Sequence, residues 1–461
     1  MQHLASQLEL IAGTDVTTLS VNTTVNAATS AFPTWSRWST EARAMILRKM
    51  MTALDCARDE FCSLAVQEIG ASKAWIEFNV DLAIETIGHV ASLAPALEDR
   101  EVVDPQTGKR SVLRRQPAGV VLGIVPWNAP IVLGVRAVAA ALMCGNTVVM
   151  KGSEHCPNTH KHLADVLNSA GLPKGVLTCI INTPGDAEAT MMQLIAHPCI
   201  RRINFTGSTR VGRDVAIQAA GYLKPALLAL SGKAPLIILE DADLDAAVEA
   251  ACFGAFFNQG QICMSTDWII VLKPVAEAFV EKLLARIVQI TAADPVNDKT
   301  VLGRMISADA AQRVNGLIDD AVSKGAHLLV GGEIDGCVMQ PALLDGIAAN
   351  MRIYREETFG PLASIMRVHD SEEAVSIAND SEFGLNAAVF SRDLDRAQTI
   401  ADRLEYGVVQ INAPTVHDDP SMPFGGMKNS GYGRFGGEQA IHEFTELRWI
   451  AVHQEEQAPT L

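Results

Sequence analysis

Five apolar runs between residues 118 and 232 form the most regular pattern in the chain. They read VVLGIVPW, TVVMKG, VLTCIIN, RRINFTG and ALLALSG, and each stops at Gly, Pro or Asn. Helical stretches follow four of the five runs. Continuous β-branched runs that alternate with helices predict a parallel sheet covered on both faces. Because ligands bind at the carboxyl ends of strands in such sheets, we expect the functional residues in the loops after these runs.

The segments on either side predict further helices and a second α/β unit. Apolar positions recur at helical spacing across 37–100. The second unit begins at Pro235, where a strand is followed by Asp243 as a candidate helix cap. Further helices are predicted at 275–292 and 308–324.

Two segments fall outside this alternation. The polar β-prone runs of 101–117 flank the turn signal DPQTG at 104–108, which predicts a hairpin. The sequence HEFTELRWIAVHQ near the end predicts a closing strand. A long hairpin beside an alternating α/β pattern is typical of an arm that contacts another subunit.

Composition excludes several classes of protein. The 461 residues are 48% hydrophobic and 20% charged, which excludes a disordered, collagen-like or coiled-coil chain. The net charge is −16, and the 37 Lys and Arg residues are scattered. We therefore expect neither nucleic acid nor an anionic membrane surface as a partner.

The cysteines and histidines predict neither a disulfide framework nor a metal site. The nine cysteines contain no C-x-x-C pair, and the eleven histidines lack ligand spacing. The opening sequence MQHLASQLEL does not resemble a signal peptide, and no apolar run is long enough to span a membrane. The expected location is therefore the cytoplasm.

Two strand ends carry candidate contacts to a cofactor. The run FTGSTRVG at 205–212 ends a strand and opens a helix, whose N-terminus favours an anion such as pyrophosphate, although a plain structural turn fits its spacing equally well. Glu154, after Lys151 at another strand end, could accept hydrogen bonds from a ribose diol. Its charge would repel a 2′-phosphate, which favours NAD over NADP if a dinucleotide binds there. A strand-end Lys such as Lys151 is commonly just solvated.

Cys263 is the candidate nucleophile. It follows Gly260 in a loop just past a predicted helix, whereas Cys179 and Cys252 fall within apolar runs typical of core cysteines. A thiolate attacks a carbonyl to form a tetrahedral adduct, whose oxygen needs hydrogen-bond donors. Asn128, at the end of the first run, is a suitable amide, and it also fits an ordinary turn residue.

Six motifs in sequence order carry a resemblance to a known family. They are VPWNAP, KGSE, FTGSTRVG, NQGQIC, EETFGP and PFGGMKNSGYGR. Over nearly its full length the chain resembles the NAD(P)-dependent aldehyde dehydrogenases. The wording NAPIVLGVRAVA and NQGQICMST is most similar to the aromatic-aldehyde branch, which includes benzaldehyde, salicylaldehyde and vanillin dehydrogenases.

The resemblance implies a role for each matching position. Cys263 would be the nucleophile, and Asn128 with the Cys263 N–H would form the oxyanion hole. Lys151 and Glu154 would hold the adenosine ribose of NAD, and Glu357 the nicotinamide ribose. The other cofactor-binding residues that it implies are Pro126, Trp127, Ser153, Gly207, Ser208, Gly212, Leu230 and Phe359. The reaction implied is formation of a thiohemiacetal, hydride transfer to NAD and hydrolysis of a thioester.

The resemblance also implies a domain plan and an assembly. The fold would be α/β, with a Rossmann-type parallel-sheet cofactor domain, a second α/β catalytic domain and a small β oligomerisation arm. The domain bounds that we expect are 1–103 with 118–231 for the cofactor domain, 232–429 for the catalytic domain, and 104–117 with 445–461 for the arm. A homodimer or homotetramer is implied, with a small-molecule aldehyde as substrate.

One departure from the family pattern concerns the general base. The family places a Glu in L-E-L-G-G-K, 34 residues before the nucleophile, and this chain has Ala229 at that position. Ser231 replaces the first Gly of the same motif, close to where the nicotinamide would bind. Some relatives use a second acidic position, which is Phe435 here. Because a methyl group accepts no proton, thiol activation, thioester hydrolysis or both should suffer.

Three explanations of Ala229 remain open from the sequence. The chain could be a working dehydrogenase that recruits water or another carboxylate such as Glu357. It could pass the thioester to a thiol such as CoA, because acylating relatives often lack this Glu. It could also be a weakened or non-oxidising member kept for binding or assembly. A laboratory substitution would leave the same residue, although Ser231 would need a second change.

Three features are candidates for substrate contact. They are Trp127, Arg136 and the loop 414–419, and each equally fits an ordinary core or surface position. If Arg136 faces the substrate, a phenolic hydroxyl or carboxylate on an aromatic ring could pair with it.

Overall fold

The computed structural model describes residues 16–106, 110–296 and 302–452. The N-terminal sequence, the last two predicted turn residues and the end of the predicted arm beyond 452 lie outside these ranges. Across the described residues, no helix is long and apolar enough to cross a membrane.

Helices open the described chain, in agreement with the spacing across 37–100. Ser39 and Ser72 accept hydrogen bonds from the N–H groups of Ala42 and Trp75, so two of these helices begin at side-chain caps. The helices are Val16–Trp35 (α1), Thr40–Cys56 (α2), Arg58–Ile69 (α3) and Lys73–Ser92 (α4), followed by a 3₁₀ turn at Ala94–Leu97.

A three-stranded antiparallel sheet contains the predicted hairpin. Arg100–Val103 (β1) pairs with Arg110–Pro117 (β2), and β2 pairs with Thr445–Val452 (β20). The hairpin prediction is confirmed, and the structure extends the sheet to residues 100–103, which the domain plan places elsewhere. The predicted closing strand is correct only from Thr445, because its first three residues end a short helix.

The first large sheet confirms the predicted alternation. Its strands are Val120–Ile124 (β3), Thr147–Lys151 (β4), Leu177–Ile180 (β5), Ile200–Thr206 (β6), Ala226–Ala229 (β7) and Gly431–Tyr432 (β19). Their order is β19-β7-β6-β3-β4-β5, and all neighbours are parallel except β19 with β7. The helices after β3 to β6 are Pro130–Met143 (α5), Pro157–Ser169 (α6), Ala187–Ala196 (α7, after a 3₁₀ turn at Pro184–Asp186) and Thr209–Gly221 (α8).

The second large sheet has seven strands and is likewise almost entirely parallel. Its strands are Ala234–Ile238 (β8), Thr266–Leu272 (β9), His327–Val330 (β10), Ala342–Asp345 (β13), Leu362–Val368 (β14), Asn386–Phe390 (β16) and Val408–Ile411 (β17). Their order is β10-β13-β14-β9-β8-β16-β17, with only β10 antiparallel to its neighbour. Two small pairs accompany it: Ile334–Asp335 (β11) with Val338–Met339 (β12), and Phe383–Gly384 (β15) with Met427–Lys428 (β18).

The helices of this second unit begin near the predicted positions. Asp243 accepts hydrogen bonds from the N–H groups of Asp245 and Ala246, which confirms it as a helix cap. The helices are Leu244–Phe256 (α9), Lys273–Ile287 (α10), Ala308–Ser323 (α11), Arg352–Arg355 (α12), Ser371–Asn379 (α13) and Leu394–Ala401 (α14), with a 3₁₀ turn at Phe257–Gly260 after α9. A last helix, Gln439–Phe444 (α15), packs in the core of the first unit.

Strand register brings three loops of the first sheet together. Ile124 pairs with Phe205, and Thr206 pairs with Ala229, so β3, β6 and β7 end at the same edge. Residues just beyond these ends therefore lie side by side. The proposed boundary between cofactor and catalytic domains, at 231/232, falls between β7 and β8, which belong to different sheets.

Candidate active site

A cavity of about 310 Å³ lies at this shared edge. Ten of the residues singled out from the sequence line it: Pro126, Trp127, Asn128, Gly207, Ser208, Ala229, Leu230, Cys263, Glu357 and Phe359. Leu133, Thr206, Ser231 and Arg313 complete its lining. Lys151, Ser153, Glu154 and Gly212 were also singled out and do not line it. The loops at the edge of the first sheet supply part of the lining, and the loops before β9 and β14 bring Cys263 and Glu357 to it.

A sharp turn after α9 places Cys263. Asn258, Gln259 and Gly260 have φ values of 50°, 55° and 65°, three consecutive residues in the left-handed region. A side chain at Gly260 would put its Cβ 2.1 Å from the Gly360 carbonyl oxygen, so only glycine fits against that loop. Non-glycine residues adopt this conformation only where the surroundings impose it. The turn therefore needs its neighbours to hold the nucleophile in place.

Asn128 is one of those neighbours. Its Nδ2 donates to the Gln261 carbonyl at 2.9 Å, and its own carbonyl accepts from Asn258 Nδ2 at 3.2 Å. Trp75 Nε1 donates to the same Asn128 carbonyl at 2.8 Å. Because an amide nitrogen carries two N–H groups, one remains for an oxygen in the cavity. The candidate oxyanion donor is thus locked to the loop of the candidate nucleophile.

The surroundings of Cys263 keep its thiol protonated. Burial raises the pKa of Cys263 to about 12, and the carboxylate of Glu357 acts in the same direction. The charge of Arg136 opposes this, and that of Asp418 adds to it. A thiol with this pKa is not a thiolate at neutral pH, so a proton acceptor is needed before it attacks a carbonyl.

The backbone of Ala229 makes the hydrogen bonds of a strand end, but its side chain cannot accept a proton. It ends β7, where its carbonyl accepts the Gly207 N–H at 3.1 Å and its backbone pairs with Thr206 and Gly431. Its methyl group forms part of the cavity wall. Of the described residues that line this cavity, Glu357 is the one carboxylate.

Glu357 is tied to the loop that follows β7. Its Oε1 accepts the Gly232 N–H at 3.1 Å. Burial raises the pKa of Glu357 to about 7, and the Ser231 hydroxyl, the Gly232 N–H and the charge of Lys233 oppose the rise. The carboxyl group therefore titrates close to neutral pH.

Three charged residues around Glu357 were missed in the sequence. Lys233 is fully buried, with its Nζ 3.6 Å from Asp267 and 5.5 Å from the centre of the Trp268 ring. Arg313 donates to the Glu357 carbonyl at 3.2 Å. A sequence signal for Lys233 did exist: it directly follows the run LALSG, which ends one of the predicted strands.

The first-sheet edge fits a dinucleotide. Ser208 caps α8 by accepting the Val211 N–H at 3.4 Å, so the N-terminus of a 13-residue helix faces the cavity. A Cβ at Gly207 would lie 2.5 Å from Phe205 Cζ, and one at Gly212 would lie 2.3 Å from Leu230 Cδ2. Both glycines therefore allow close packing of the backbone that a pyrophosphate would approach.

Lys151 and Glu154 lie at the end of β4, with Lys151 Nζ 3.3 Å from Glu154 Oε2. Burial would raise the pKa of Glu154, but a backbone hydrogen bond and the Lys151 charge together lower it. An ionised carboxylate here can accept bonds from a diol. The neighbouring Ser153 N–H donates to Nδ1 of His160 at 2.9 Å, a buried contact that the sequence did not indicate.

Arg136 is occupied by protein partners. Its guanidinium pairs with Asp418, and both side chains are buried. It also lies 4.6 Å from the Phe424 ring centre and 5.9 Å from that of Phe435. The condition on which Arg136 was a candidate for substrate contact, that it faces the cavity, is not met, because its guanidinium is turned to Asp418 and the two phenylalanine rings. Neither Arg136 nor any residue of 414–419 lines the cavity of Cys263.

Comparisons with known proteins agree with this geometry. The sequence profile of the aldehyde dehydrogenase family matches residues 5–450. The chain is 50% identical over 428 residues to vanillin dehydrogenase of Pseudomonas fluorescens, covering 93% of this chain and 89% of that one. It is 44% identical over 451 residues to salicylaldehyde dehydrogenase of Pseudomonas sp. strain C18, covering 96% and 93%.

A solved structure is similar over the same span. It is the salicylaldehyde dehydrogenase of Pseudomonas putida G7 complexed with salicylaldehyde, with a TM-score of 0.94 and 42% identity. The match covers 96% of this chain and 92% of that one. The expected α/β fold, with its Rossmann-type parallel sheet, is confirmed.

Proposed function

This chain belongs to the aldehyde dehydrogenase family, and on that premise we propose that it oxidises an aromatic aldehyde to the acid with NAD. The observation that carries the proposal is the meeting of Cys263 and Asn128 in one cavity beside the N-terminus of α8. That arrangement places a nucleophile, an amide donor and an anion site around a single space.

Cys263 supplies the covalent step. The thiol releases its proton to water, its sulfur adds to the aldehyde carbon to give a thiohemiacetal, and the carbonyl oxygen takes the negative charge. The free N–H of Asn128 and the backbone N–H of Cys263 donate to that oxygen. Donors of this kind stabilise the charge most where water is excluded.

The cofactor site has residues suited to NAD. When bound, the nicotinamide accepts a hydride from the substrate carbon. The N-terminus of α8 would hold the pyrophosphate, and Lys151 with Glu154 would hold the adenosine ribose. Because the Glu154 carboxylate would repel a 2′-phosphate, we propose NAD rather than NADP.

An aromatic substrate suits the apolar part of the cavity. The Trp127 and Phe359 rings meet edge to face with centroids 5.9 Å apart, and Leu133 also lines the cavity. Aromatic rings favour such edge-to-face contacts. The named substrates of the vanillin and salicylaldehyde relatives are aromatic and support the same class.

Ala229 makes thioester hydrolysis the slow step in this proposal. Loss of a general base costs about 10²–10⁴-fold in rate. The alternative is transfer of the acyl group to CoA, for which no water needs to be activated. A weakened member with a binding or assembly role is the remaining alternative.

The arm supports an oligomer, as the family likeness implies. Trp449 on β20 is 73% exposed and Leu447 is 58% exposed, and both extend an apolar surface from this sheet. We propose a homodimer or homotetramer that covers them. Sedimentation of the purified chain, with Trp449→Ser as the variant, would test this.

The function is tested by reduction of NAD or NADP with benzaldehyde, salicylaldehyde and an aliphatic aldehyde, with and without CoA. The proposal expects NADH, an aromatic acid as product, and no response to CoA. A rise in turnover with CoA would support the acyl-transfer alternative. Absence of NADH with every aldehyde, for this chain and for Ala229→Glu alike, would overturn the proposal.

A further inference from the structure

Of the described residues that line the cavity of Cys263, Glu357 supplies the one carboxylate, and it lies beside the loop that follows β7. Glu357 reaches this space, whereas position 229 presents only a methyl group. Glu357 is therefore available as a proton acceptor for a water in this cavity, and it comes from the loop before β14 and not from β7.

Gly232 connects that carboxylate to the nucleophile loop. Its N–H donates to Glu357 Oε1 at 3.1 Å. On its other side, a Cβ at Gly232 would lie 2.3 Å from the Cys263 carbonyl oxygen. The Glu357 carboxylate and the Cys263 backbone therefore both lie against Gly232.

The second departure from the family motif acts on the same group. Ser231 stands where L-E-L-G-G-K has a glycine, and its hydroxyl lies close enough to the Glu357 carboxylate to lower the pKa of that group. The two changes in this motif therefore remove one carboxylate and place a hydroxyl beside another.

We propose that Glu357 is the proton acceptor for the water that hydrolyses the Cys263 thioester, in place of the side chain missing at 229. The inference rests on the proposed function, because it requires Cys263 to carry an acyl group. Ser231 acts as a positioning residue beside the Glu357 carboxylate.

The step balances without an added reactant. Water oxygen bonds to the thioester carbon while one water proton passes to Glu357. The carbon–sulfur bond then breaks, the acid leaves, and the proton on Glu357 returns to the Cys263 sulfur. No electrons are transferred in this step.

The charges that face Glu357 set its working range. Lys233 precedes β8, Asp267 lies on β9, Arg313 lies on α11, and Cys263 shares the cavity. Burial raises the pKa of Glu357 to about 7, Asp267 adds to the rise, and Lys233 opposes it. Because the carboxylate is the active form, hydrolysis should increase as pH rises through about 7 and then level off.

An aryl ester isolates this step without any cofactor. With p-nitrophenyl benzoate, Cys263 takes the benzoyl group and releases p-nitrophenolate as a burst of about one equivalent per chain. The slower release that follows measures hydrolysis of the acyl-enzyme. The variants are Glu357→Gln, Ser231→Gly and Glu356→Gln, the last a matched control whose carboxylate pairs with Arg352 on the surface at 2.8 Å.

The expected result separates burst from hydrolysis. Glu357→Gln keeps the full burst, hydrolyses about 10²-fold more slowly and loses the step near pH 7, in line with removal of a general base. Ser231→Gly slows hydrolysis less and shifts the pH step, and Glu356→Gln changes neither. In an Ala229→Glu background, Glu357→Gln should have little effect, because the restored side chain does the work.

Two results would separate failure of this inference from failure of the proposed function. If Glu357→Gln shows a full burst and hydrolyses the acyl-enzyme at the wild-type rate with the wild-type pH profile, the role of Glu357 is overturned. The role of Cys263 as nucleophile would still stand. A wild-type chain without a burst would overturn the proposed function itself. If Glu357→Gln shows no burst, Glu357→Asp decides, since it keeps a carboxylate: a retained pH step supports the proposal, and a flat profile overturns it.

Discussion

At the nucleophile end of the cavity, side chains hold the loop in place, whereas Ala229 at the other end is held through its backbone. Asn128 bonds to the loop of Cys263, and that loop needs three left-handed residues to turn. At the other end, Ala229 takes part in the ladders of β7 through its N–H and carbonyl groups.

This difference explains how one end could lose its reactive group without altering the fold. Ladder bonds do not depend on the side chain, so β7 holds its register with any residue that fits the wall. The Cys263 turn has no such independence, because its strained residues rely on specific partners. Changes at the two ends should therefore have opposite signs, which the following substitutions test.

The largest effect is expected at the nucleophile. Cys263→Ser should reduce NADH formation by at least about 10³-fold, because a hydroxyl in the same surroundings is a far weaker nucleophile. Steady-state absorbance of NADH measures it, and Cys56→Ser, at an exposed cysteine, is the control. Equal activity in both variants would contradict the assignment of Cys263.

A gain is expected at the opposite end. Ala229→Glu should raise steady-state turnover by at least about 10²-fold, the lower end of what a general base contributes, because Glu357 already supplies part of that contribution. Turnover with benzaldehyde measures the gain, and Ala226→Glu, at the start of the same strand, is the control. An unchanged rate would contradict the statement that the missing carboxylate at 229 limits hydrolysis.

Asn128→Ala should lower kcat by about 10²–10³-fold, the usual cost of losing one oxyanion donor. It also removes the bond to the Gln261 carbonyl, so a thermal melt is needed alongside the kinetics. The prediction requires kcat to fall while the protein remains folded at the assay temperature. A change in KM alone would place Asn128 in ground-state binding.

Gly232 lies where the two ends of the cavity meet. We expect Gly232→Ala to have the smallest effect of these substitutions. Its Cβ would lie 2.3 Å from the Cys263 carbonyl oxygen, so the backbone must move. Overpacking of this kind costs about 1–3 kcal/mol of unfolding free energy. Urea unfolding measures it, with Gly221→Ala as the control, because nothing lies within 4 Å of a Cβ there. Equal stability of both variants would show that the two loops are not packed as described.

Much of the fold was predictable from the sequence, because apolar runs and their breakers report local structure directly. The strands and helices from β3 to α8 follow from burial on both faces, and Asp243 was recognisable as a cap. The prediction was less accurate near the end of the chain. The first three residues of the predicted closing strand, HEF, form the end of helix α15. A short apolar run does not by itself distinguish the last turn of a helix from a strand.

The sequence predicted the site residues that stand in a motif. It did not predict contacts between residues that are far apart in the chain. Cys263, Asn128 and Glu357 each stand in a recognisable segment. The pairing of Arg136 with Asp418 joins residues 282 positions apart, and no spacing in the sequence indicates it. In the same way, residue type does not distinguish a buried Lys233 from a solvated lysine, and the contact of Ser231 with Glu357 depends on how two loops meet.

The most direct test of the account is rapid-mixing measurement of NADH formed from benzaldehyde and excess NAD. A thioester on Cys263 that forms quickly and hydrolyses slowly predicts a burst of about one NADH per chain, followed by slower, continuing turnover. In Ala229→Glu the slow phase should approach the rate of the burst. No NADH from either protein, or a burst-free linear course that this substitution leaves unchanged, would contradict the account.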